Sequence, residues 1–143
     1  MTLREGLAEY YDVHDNVTPP DEHSSRAAEL FRYHDVGHVV FGTSTNLMDE
    51  ARTDTWLMFG SDVGLWGYMK YLNQPEATAI LKEIGYWNIF KRTGPMLGAM
   101  WDVWRRTRRM KKKWPWTEHS VLMDRPLVDL RRDHGIEVVR PAA

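Results

Sequence analysis

The chain has 143 residues, a formal net charge of −1 at neutral pH and no cysteine. Its length suits one domain with a single hydrophobic core, and the absence of thiols excludes disulfides and thiolate metal sites. No apolar run reaches the roughly 18 residues of a membrane-spanning helix, and residues 2–15 have neither a secretion signal nor an import sequence. We therefore predict one soluble domain over residues 1–143, located in the cytoplasm.

The first predicted helix covers residues 26–41, RAAELFRYHDVGHVVF. Apolar residues recur there at helical spacing, and Ser24 or Ser25 is placed to cap its start. Gly42 follows its last residue, as glycine commonly does just past the end of a helix. These signals define both ends of the helix.

Three potential metal ligands share one face of this helix. At about 100° per residue, His34 and His38 lie about 40° apart around the axis and one turn apart along it. Asp35 lies at the edge of the same arc. The helix therefore presents two imidazoles and a carboxylate in one direction.

A second helix is predicted to supply a fourth ligand. Residues 43–46, TSTN, carry side-chain oxygens that favour turns and helix caps, so the helix begins at Thr45 or Asn46. Glu50 then falls in its first or second turn. If the two helices are antiparallel, Glu50 lies opposite the histidines.

The rest of the chain also has helical spacing. Residues 46–73 carry apolar side chains among three glycines, and Pro75 suits the first position of a new helix. Further helices are expected over residues 95–113, before a proline-containing turn, and over residues 126–134, closed by Gly135. No alternating strand pattern of useful length occurs, so the predicted fold class is all-α.

Two imidazoles and two carboxylates suit zinc, iron or manganese. The alternative is that the histidines are hydrogen-bonded core residues with no ion between them. Asp54, one helical turn beyond Glu50, is a candidate to orient a ligand histidine through a hydrogen bond, or else a solvated helix position.

The motif resembles a known family. HDxxH followed by eleven residues and Glu, here residues 34–50, is similar to the signature of the ubiquinone (coenzyme Q) biosynthesis proteins of the Coq-four type. Gly42, Thr45 and Asn46 resemble that family's loop between its ligand helices, and residues 125–136, RPLVDLRRDHGI, resemble its ending. The resemblance implies one divalent ion, zinc first, with iron or manganese as alternatives. The implied metal ligands are His34, Asp35, His38 and Glu50.

The resemblance also implies a function. Family members act on a polyprenylated benzoquinone precursor, replacing the carboxyl group at ring carbon 1 oxidatively by hydroxyl, and they organise other biosynthetic enzymes at the membrane. A homo-oligomer is expected. Only 33 residues precede the motif in this chain, which indicates a shortened or divergent member. A scaffold whose metal only ties two helices together is the non-enzymatic alternative.

A second resemblance leads to another function. HDVGHVVFG, residues 34–42, is similar to the HD-domain metal-dependent phosphohydrolases, which need an upstream histidine and a distant aspartate as further ligands. Thr43 stands where the nucleotide triphosphohydrolase members have histidine, and this interpretation leaves Glu50 unexplained. The candidates for the additional ligands are His14 or His23 and Asp54, Asp62 or Asp102.

Charge is unevenly distributed along the sequence. Residues 1–90 hold 6 Lys and Arg against 14 Asp and Glu, whereas residues 91–143 hold 13 against 6. Residues 101–116, WDVWRRTRRMKKKWPW, place basic residues between two tryptophan pairs, which favours an anionic membrane surface and a peripheral location on its inner face. Nucleic acid is the less favoured partner, and a solvated helix end is the simplest alternative. The seven cations are Arg105, Arg106, Arg108, Arg109, Lys111, Lys112 and Lys113.

Overall fold

The protein is described by a computed structural model over residues 1–14, 26–73 and 93–139. No β-strand occurs in these three ranges, where strand-like pairing is limited to the isolated bridges Thr2–Pro126 and Ser61–Trp114. The predicted all-α class is therefore confirmed. The α-helices of the described ranges are α1 (Leu3–Val13), α2 (Arg26–Phe41), α3 (Leu47–Gly60), α4 (Gly64–Leu72), α5 (Thr93–Thr107) and α6 (Leu127–His134), with a 3₁₀ helix at Glu118–Leu122.

The end of the first helix of the candidate metal motif and the start of the second lie where the sequence predicted them. Helix α2 ends at Phe41, directly before Gly42. Helix α3 begins after Asn46, whose side chain accepts hydrogen bonds from the backbone N–H groups of Met48 and Asp49. Side-chain capping of this kind satisfies N–H groups that have no partner within the helix. Glu50 therefore lies in the first turn of α3.

Two predicted helices are shorter than expected. Residues 46–73 form α3 and α4, separated at residues 61–63, because the backbone there pairs with Trp114. Helix α5 ends at Thr107 and does not continue to residue 113. The following chain instead donates backbone hydrogen bonds to other elements, from Lys111 to His134 and from Trp114 to Gly60. The predicted helix start at Pro75 and the caps Ser24 and Ser25 lie outside the described residues.

Helix α1 is an element that the sequence patterns above did not predict. It opens with a capping box, in which the Thr2 hydroxyl accepts from the Glu5 N–H and the Glu5 carboxylate accepts from the Thr2 N–H. Leu3, Leu7 and Tyr10 form its buried stripe. The reciprocal pair and this spacing were the signals available in the sequence.

Helices α2 and α3 each contact three other elements. Helix α2 contacts α1, α3 and α6, while α3 packs chiefly on α5 and α4. Val36, Val40 and Phe41 of α2 are fully buried, and the ring of Phe41 stacks on Trp56 of α3 with centroids 4.8 Å apart. Because both motif helices are held in the core, their candidate ligand side chains have fixed relative positions.

The tryptophans of the basic tract, residues 101–116, divide into two environments. Trp114 and Trp116 are buried, whereas Trp101 is 60% exposed. The ring of Trp114 packs against the imidazoles of His119 and His134. Burial lowers the pKa values of both histidines, so these rings pack as neutral groups. The second tryptophan pair therefore belongs to the core.

Several cations of the tract bind within the protein. Arg106 pairs with Asp102 on α5, and Arg109 pairs with Glu137. Lys113 donates to the backbone oxygen of Phe59. In the described ranges, no helix is long and apolar enough to cross a bilayer.

Candidate metal centre

The end of α2 positions the first side chains of the site. Gly42 has φ +68°, a conformation that residues with a Cβ atom adopt at a cost. This turn lets the Thr43 N–H bond back to the carbonyl oxygen of His38, 3.0 Å away. Thr43 is thereby placed over the imidazole of His38.

The imidazoles of His34 and His38 both face the carboxylate of Glu50. Nε2 of His34 lies 3.8 Å from Oε2 of Glu50, and Nε2 of His38 lies 3.4 Å from Oε1. One ligand atom from each residue lies within 4.8 Å of the other two. His38 is buried, while the Glu50 side chain is 32% exposed, so the group opens to solvent on the side of α3.

These separations fit a shared ion. Two donor atoms that are each about 2.1 Å from a tetrahedral zinc ion lie about 3.4 Å from one another. Two imidazole nitrogens and carboxylate oxygens are also the donors that zinc, iron and manganese accept. The His34, His38 and Glu50 group can therefore hold a metal ion.

The hydrogen-bond partners of Nδ1 determine which ring nitrogen of His38 carries the hydrogen. Its Nδ1 lies 3.2 Å from the hydroxyls of Thr43 and Thr53, whose oxygens are 2.6 Å apart. Thr53 donates its proton to the carbonyl of Asp49, so Thr43 must donate to Thr53. Neither hydroxyl has a proton left for His38, and Nδ1–H is therefore the donor. In the neutral ring, the Nε2 lone pair then points toward Glu50, as metal binding requires.

This hydrogen bond gives a prediction for Thr53→Val. The substitution keeps the shape of a fully buried side chain and removes an acceptor of the His38 Nδ1–H. We expect zinc affinity to fall by about 10-fold to 100-fold, as it does when groups that orient a ligand histidine are lost. A competition titration against a chromophoric chelator measures the change.

Thr55→Val is the matched control. Its hydroxyl is equally buried and donates to the carbonyl of Ala51, just as Thr53 donates to Asp49. Zinc affinity should stay at the wild-type value in this variant. Equal losses in both valine variants would show that the effect comes from α3 and not from the contact with His38.

The Asp35 carboxylate is not part of the His34, His38 and Glu50 group. It is buried, and its Oδ2 accepts a hydrogen bond from the hydroxyl of Tyr11 on α1, 3.0 Å away. Burial raises the pKa of Asp35 more than this bond and the neighbouring histidines lower it. The structure thus brings three of the four predicted ligands together and places the fourth against a tyrosine.

Asp54 lies beside the group instead. Its Oδ1 is 3.3 Å from Nε2 of His34 and accepts a hydrogen bond from the hydroxyl of Tyr68. Burial lowers the pKa of His34, but the bond to Asp54 and the charges of Asp54, Glu50 and Asp35 outweigh it, so the pKa is raised. The same negative charges favour a metal cation at this position.

Tyrosines line the histidine pair, which the sequence patterns did not reveal. The ring of Tyr10 stacks on His38 with centroids 5.4 Å apart, and the ring of Tyr71 stacks on His34 at 5.9 Å. Burial raises the pKa of each of these phenols, which keeps them neutral. In the sequence, Tyr10 and Tyr71 are marked only by their positions among the buried residues of α1 and α4, which indicate core packing and not a site.

The other residues considered for a phosphohydrolase site have separate partners. His14 ends α1, where its ring bonds to the carbonyl of Tyr10 and the hydroxyl of Ser44. Asp62 accepts the backbone N–H of Trp116, and Asp102 pairs with Arg106. These three residues have contacts outside the His34, His38 and Glu50 group, and His23 lies outside the described residues.

No protein-family model, curated protein or solved structure matches this chain.

Proposed function

We propose that this protein binds one divalent metal ion and acts in ubiquinone biosynthesis on a polyprenylated benzoquinone precursor. The observation that carries the metal-binding part is the convergence of His34 and His38 on Glu50, with N···O separations of 3.8 and 3.4 Å. The substrate class comes from the resemblance of residues 34–50 to the Coq-four motif. Zinc is the expected ion, with iron or manganese as alternatives.

The proposed reaction removes the carboxyl group from ring carbon 1 as carbon dioxide and places a hydroxyl group there. This is a two-electron oxidation. In the balanced reaction, water supplies the hydroxyl oxygen, and dioxygen accepts the two electrons and two protons to leave as hydrogen peroxide. When bound, the ion would supply Lewis acidity toward a phenolic or carboxylate oxygen. His34 and His38 would hold it from the core side, and the half-exposed Glu50 would hold it from the open side.

The surrounding tyrosines would exclude water from the core side of the ion. Tyr10 and Tyr71 place ring faces against the two imidazoles, and the hydroxyl of Tyr68 donates to Asp54 beside them. Because Tyr10 and Tyr71 are buried, a substrate would approach from the side of Glu50, where the group is open to solvent.

Contact with an anionic membrane surface is proposed for the face of α5. Leu97 and Trp101 are exposed there, and Arg105 is exposed on the same helix. This arrangement suits a protein that meets a lipid-soluble substrate at the interface. The scaffold alternative keeps this surface and the metal, but predicts no turnover.

The first test is the metal content of the purified protein. Wild-type protein should contain about one equivalent after incubation with zinc, ferrous iron or manganese, and folded His38→Gln and Glu50→Gln variants should lose it. Glu137→Gln is the control, since Glu137 is exposed and pairs with Arg109 far along the sequence. Circular dichroism verifies that each variant is folded.

The second test is turnover. Metal-loaded wild-type protein is given a prenylated phenolic precursor with a carboxyl group at ring carbon 1, and release of the carboxyl carbon is measured beside the Glu50→Gln variant. Loss of release in the variant supports catalysis, and no release by either protein leaves the scaffold role.

The metal-content test also separates the alternatives. Metal that survives in Glu50→Gln would favour a phosphohydrolase-type site, and a wild type that binds none of the three ions would reject the proposal.

A further inference from the structure

A cavity of about 220 Å³ lies where the last turn of α3 meets the end of α5. Its walls are formed by five residues, Phe59, Trp104, Thr107, Arg108 and Lys113. Phe59 is nine residues after Glu50 on α3, about 14 Å along the helix axis, so the cavity is separate from the candidate metal centre. Its volume is several times the space that one water molecule needs, which leaves room for an anion of a few heavy atoms.

The hydrogen-bonding capacity left in the cavity wall is chiefly that of its two cations. The hydroxyl of Thr107 donates to the carbonyl of Trp104, and Nζ of Lys113 donates to the carbonyl of Phe59. A lysine ammonium has three N–H donors, so two remain after this bond, and the guanidinium of Arg108 has five. The wall therefore suits a ligand that accepts hydrogen bonds and carries negative charge.

The two cavity cations have no carboxylate partner in the described ranges, where no ion pair includes Arg108 or Lys113. Arg106, two residues before Arg108, does have such a partner in Asp102. The guanidinium carbon of Arg108 instead lies 5.9 Å from the centroid of the Trp104 ring. A cation–π contact of this kind positions the guanidinium and leaves its N–H groups available to an anion from outside the chain.

The exposed face of α5 connects the cavity with apolar side chains. Leu97, Trp101, Arg105 and Arg108 follow one another at intervals of four, four and three residues, so they share this face. Leu97 and Trp101 are 59% and 60% exposed, and Arg105 is also exposed. Trp101 stacks on Trp104 of the cavity wall with ring centroids 4.8 Å apart. Apolar rings beside cations are the combination that suits a membrane interface, where phosphate groups lie next to acyl chains.

We propose that the cavity binds the phosphate group of an anionic lipid headgroup, with Arg108 and Lys113 as its cationic contacts. A tetrahedral phosphate presents oxygens in several directions, so it can meet a cation of α5 and a cation of the following segment at once. Leu97 and Trp101 then lie beside the acyl chains. This inference rests on the membrane contact proposed for α5 and does not involve the metal centre.

The test is binding to phosphatidylcholine vesicles that contain phosphatidylglycerol, measured by co-sedimentation. In about 0.5 M salt the Debye length is roughly 4 Å, so attraction between exposed charges and the surface is largely screened. We expect Arg108→Gln to weaken binding by at least about 10-fold, because it removes charge-assisted hydrogen bonds to phosphate.

Arg105→Gln is the matched control. It removes the same charge from an exposed position on the same helix face, but Arg105 does not line the cavity. Its affinity for the vesicles should stay within about 2-fold of the wild-type value at this salt concentration. Lys113→Gln and Lys112→Gln form a second pair of the same design, and circular dichroism verifies that each variant is folded.

Soluble probes separate the possible sources of phosphate. Glycerol phosphate should compete only weakly with the vesicles, because it has no acyl chains to contact Leu97 and Trp101. Wild-type protein that binds glycerol phosphate or a single-stranded oligonucleotide, but no vesicles, would overturn the lipid assignment. Equal losses in Arg108→Gln and Arg105→Gln would overturn the cavity as the site. Wild-type protein that binds none of the three probes would overturn the membrane contact itself, while the metal content is measured independently.

Discussion

Replacing Trp114 by alanine is expected to lower the free energy of unfolding by about 3 to 5 kcal/mol, the usual cost of truncating a buried tryptophan. Its side chain is 1% exposed and packs against the rings of His119 and His134. Its backbone also links the tract to the end of α3 by a hydrogen bond to Gly60. Urea unfolding followed by circular dichroism gives the free energy.

Trp101→Ala is the control for this prediction. Trp101 belongs to the same Trp-flanked tract, but it is 60% exposed on α5 and stacks on Trp104. Its replacement should change the free energy of unfolding by less than about 1 kcal/mol. Similar losses for the two variants would contradict the separation of core and surface tryptophans. Weaker binding to anionic vesicles in Trp101→Ala alone would support the proposed membrane face.

The second large effect is expected for Arg131→Met. The guanidinium of Arg131, on α6, donates from Nε to the carbonyl of Val40 and from Nη2 to that of Val39, each at 2.8 Å. These carbonyls belong to the last turn of α2, where no later N–H group of the helix is available to donate a hydrogen bond to them. Methionine retains an unbranched apolar chain but leaves both oxygens without this donor, so we expect a loss of about 3 kcal/mol.

Arg132→Met tests whether the position of the charge matters. Arg132 is the next residue of α6, is exposed, and pairs only with Asp129 and Asp133 among the described contacts of its side chain. Exposed pairs of this kind contribute about 0 to 1 kcal/mol. Urea titrations of both variants are compared at one pH and ionic strength. If Arg131→Met is no less stable than Arg132→Met, the capping of α2 by Arg131 is not significant for stability.

The parts of the fold that the sequence predicted are those with local signals. The end of α2 follows from Gly42, the start of α3 from Asn46, and the last helix from Pro126 and Gly135. Each depends on hydrogen bonds or torsion angles within a few residues. Propensity and capping therefore specify these elements before any tertiary contact forms.

The misplaced helix end had a long-range cause. Residues 108–113 are compatible with a helix by composition, but Lys111 and Trp114 find hydrogen-bond partners at His134 and Gly60. The competition between those contacts and helix continuation depends on residues 23 and 54 positions away in sequence. Periodicity within a window cannot contain that information.

Three residues of the candidate site were predictable because they depend on local signals. His34 and His38 are one helical turn apart, and the capped start of α3 places Glu50 in its first turn. The orientation of Asp35 depends on Tyr11, and that of Asp54 on Tyr68, and both tyrosines lie on other helices. Which carboxylate lies beside the histidines is therefore a property of the tertiary packing.

The bridge between Thr2 and Pro126 has a consequence for the order of folding. Backbone hydrogen bonds join Leu3 to Arg125 and Arg4 to Met123, pairing segments about 120 residues apart. Closing so long a loop is entropically costly, and contacts of such high sequence separation slow folding. The pairing of residues 2–4 with residues 123–126 is therefore expected to close after the helices have packed. In a refolding experiment, this junction should be among the last contacts to form.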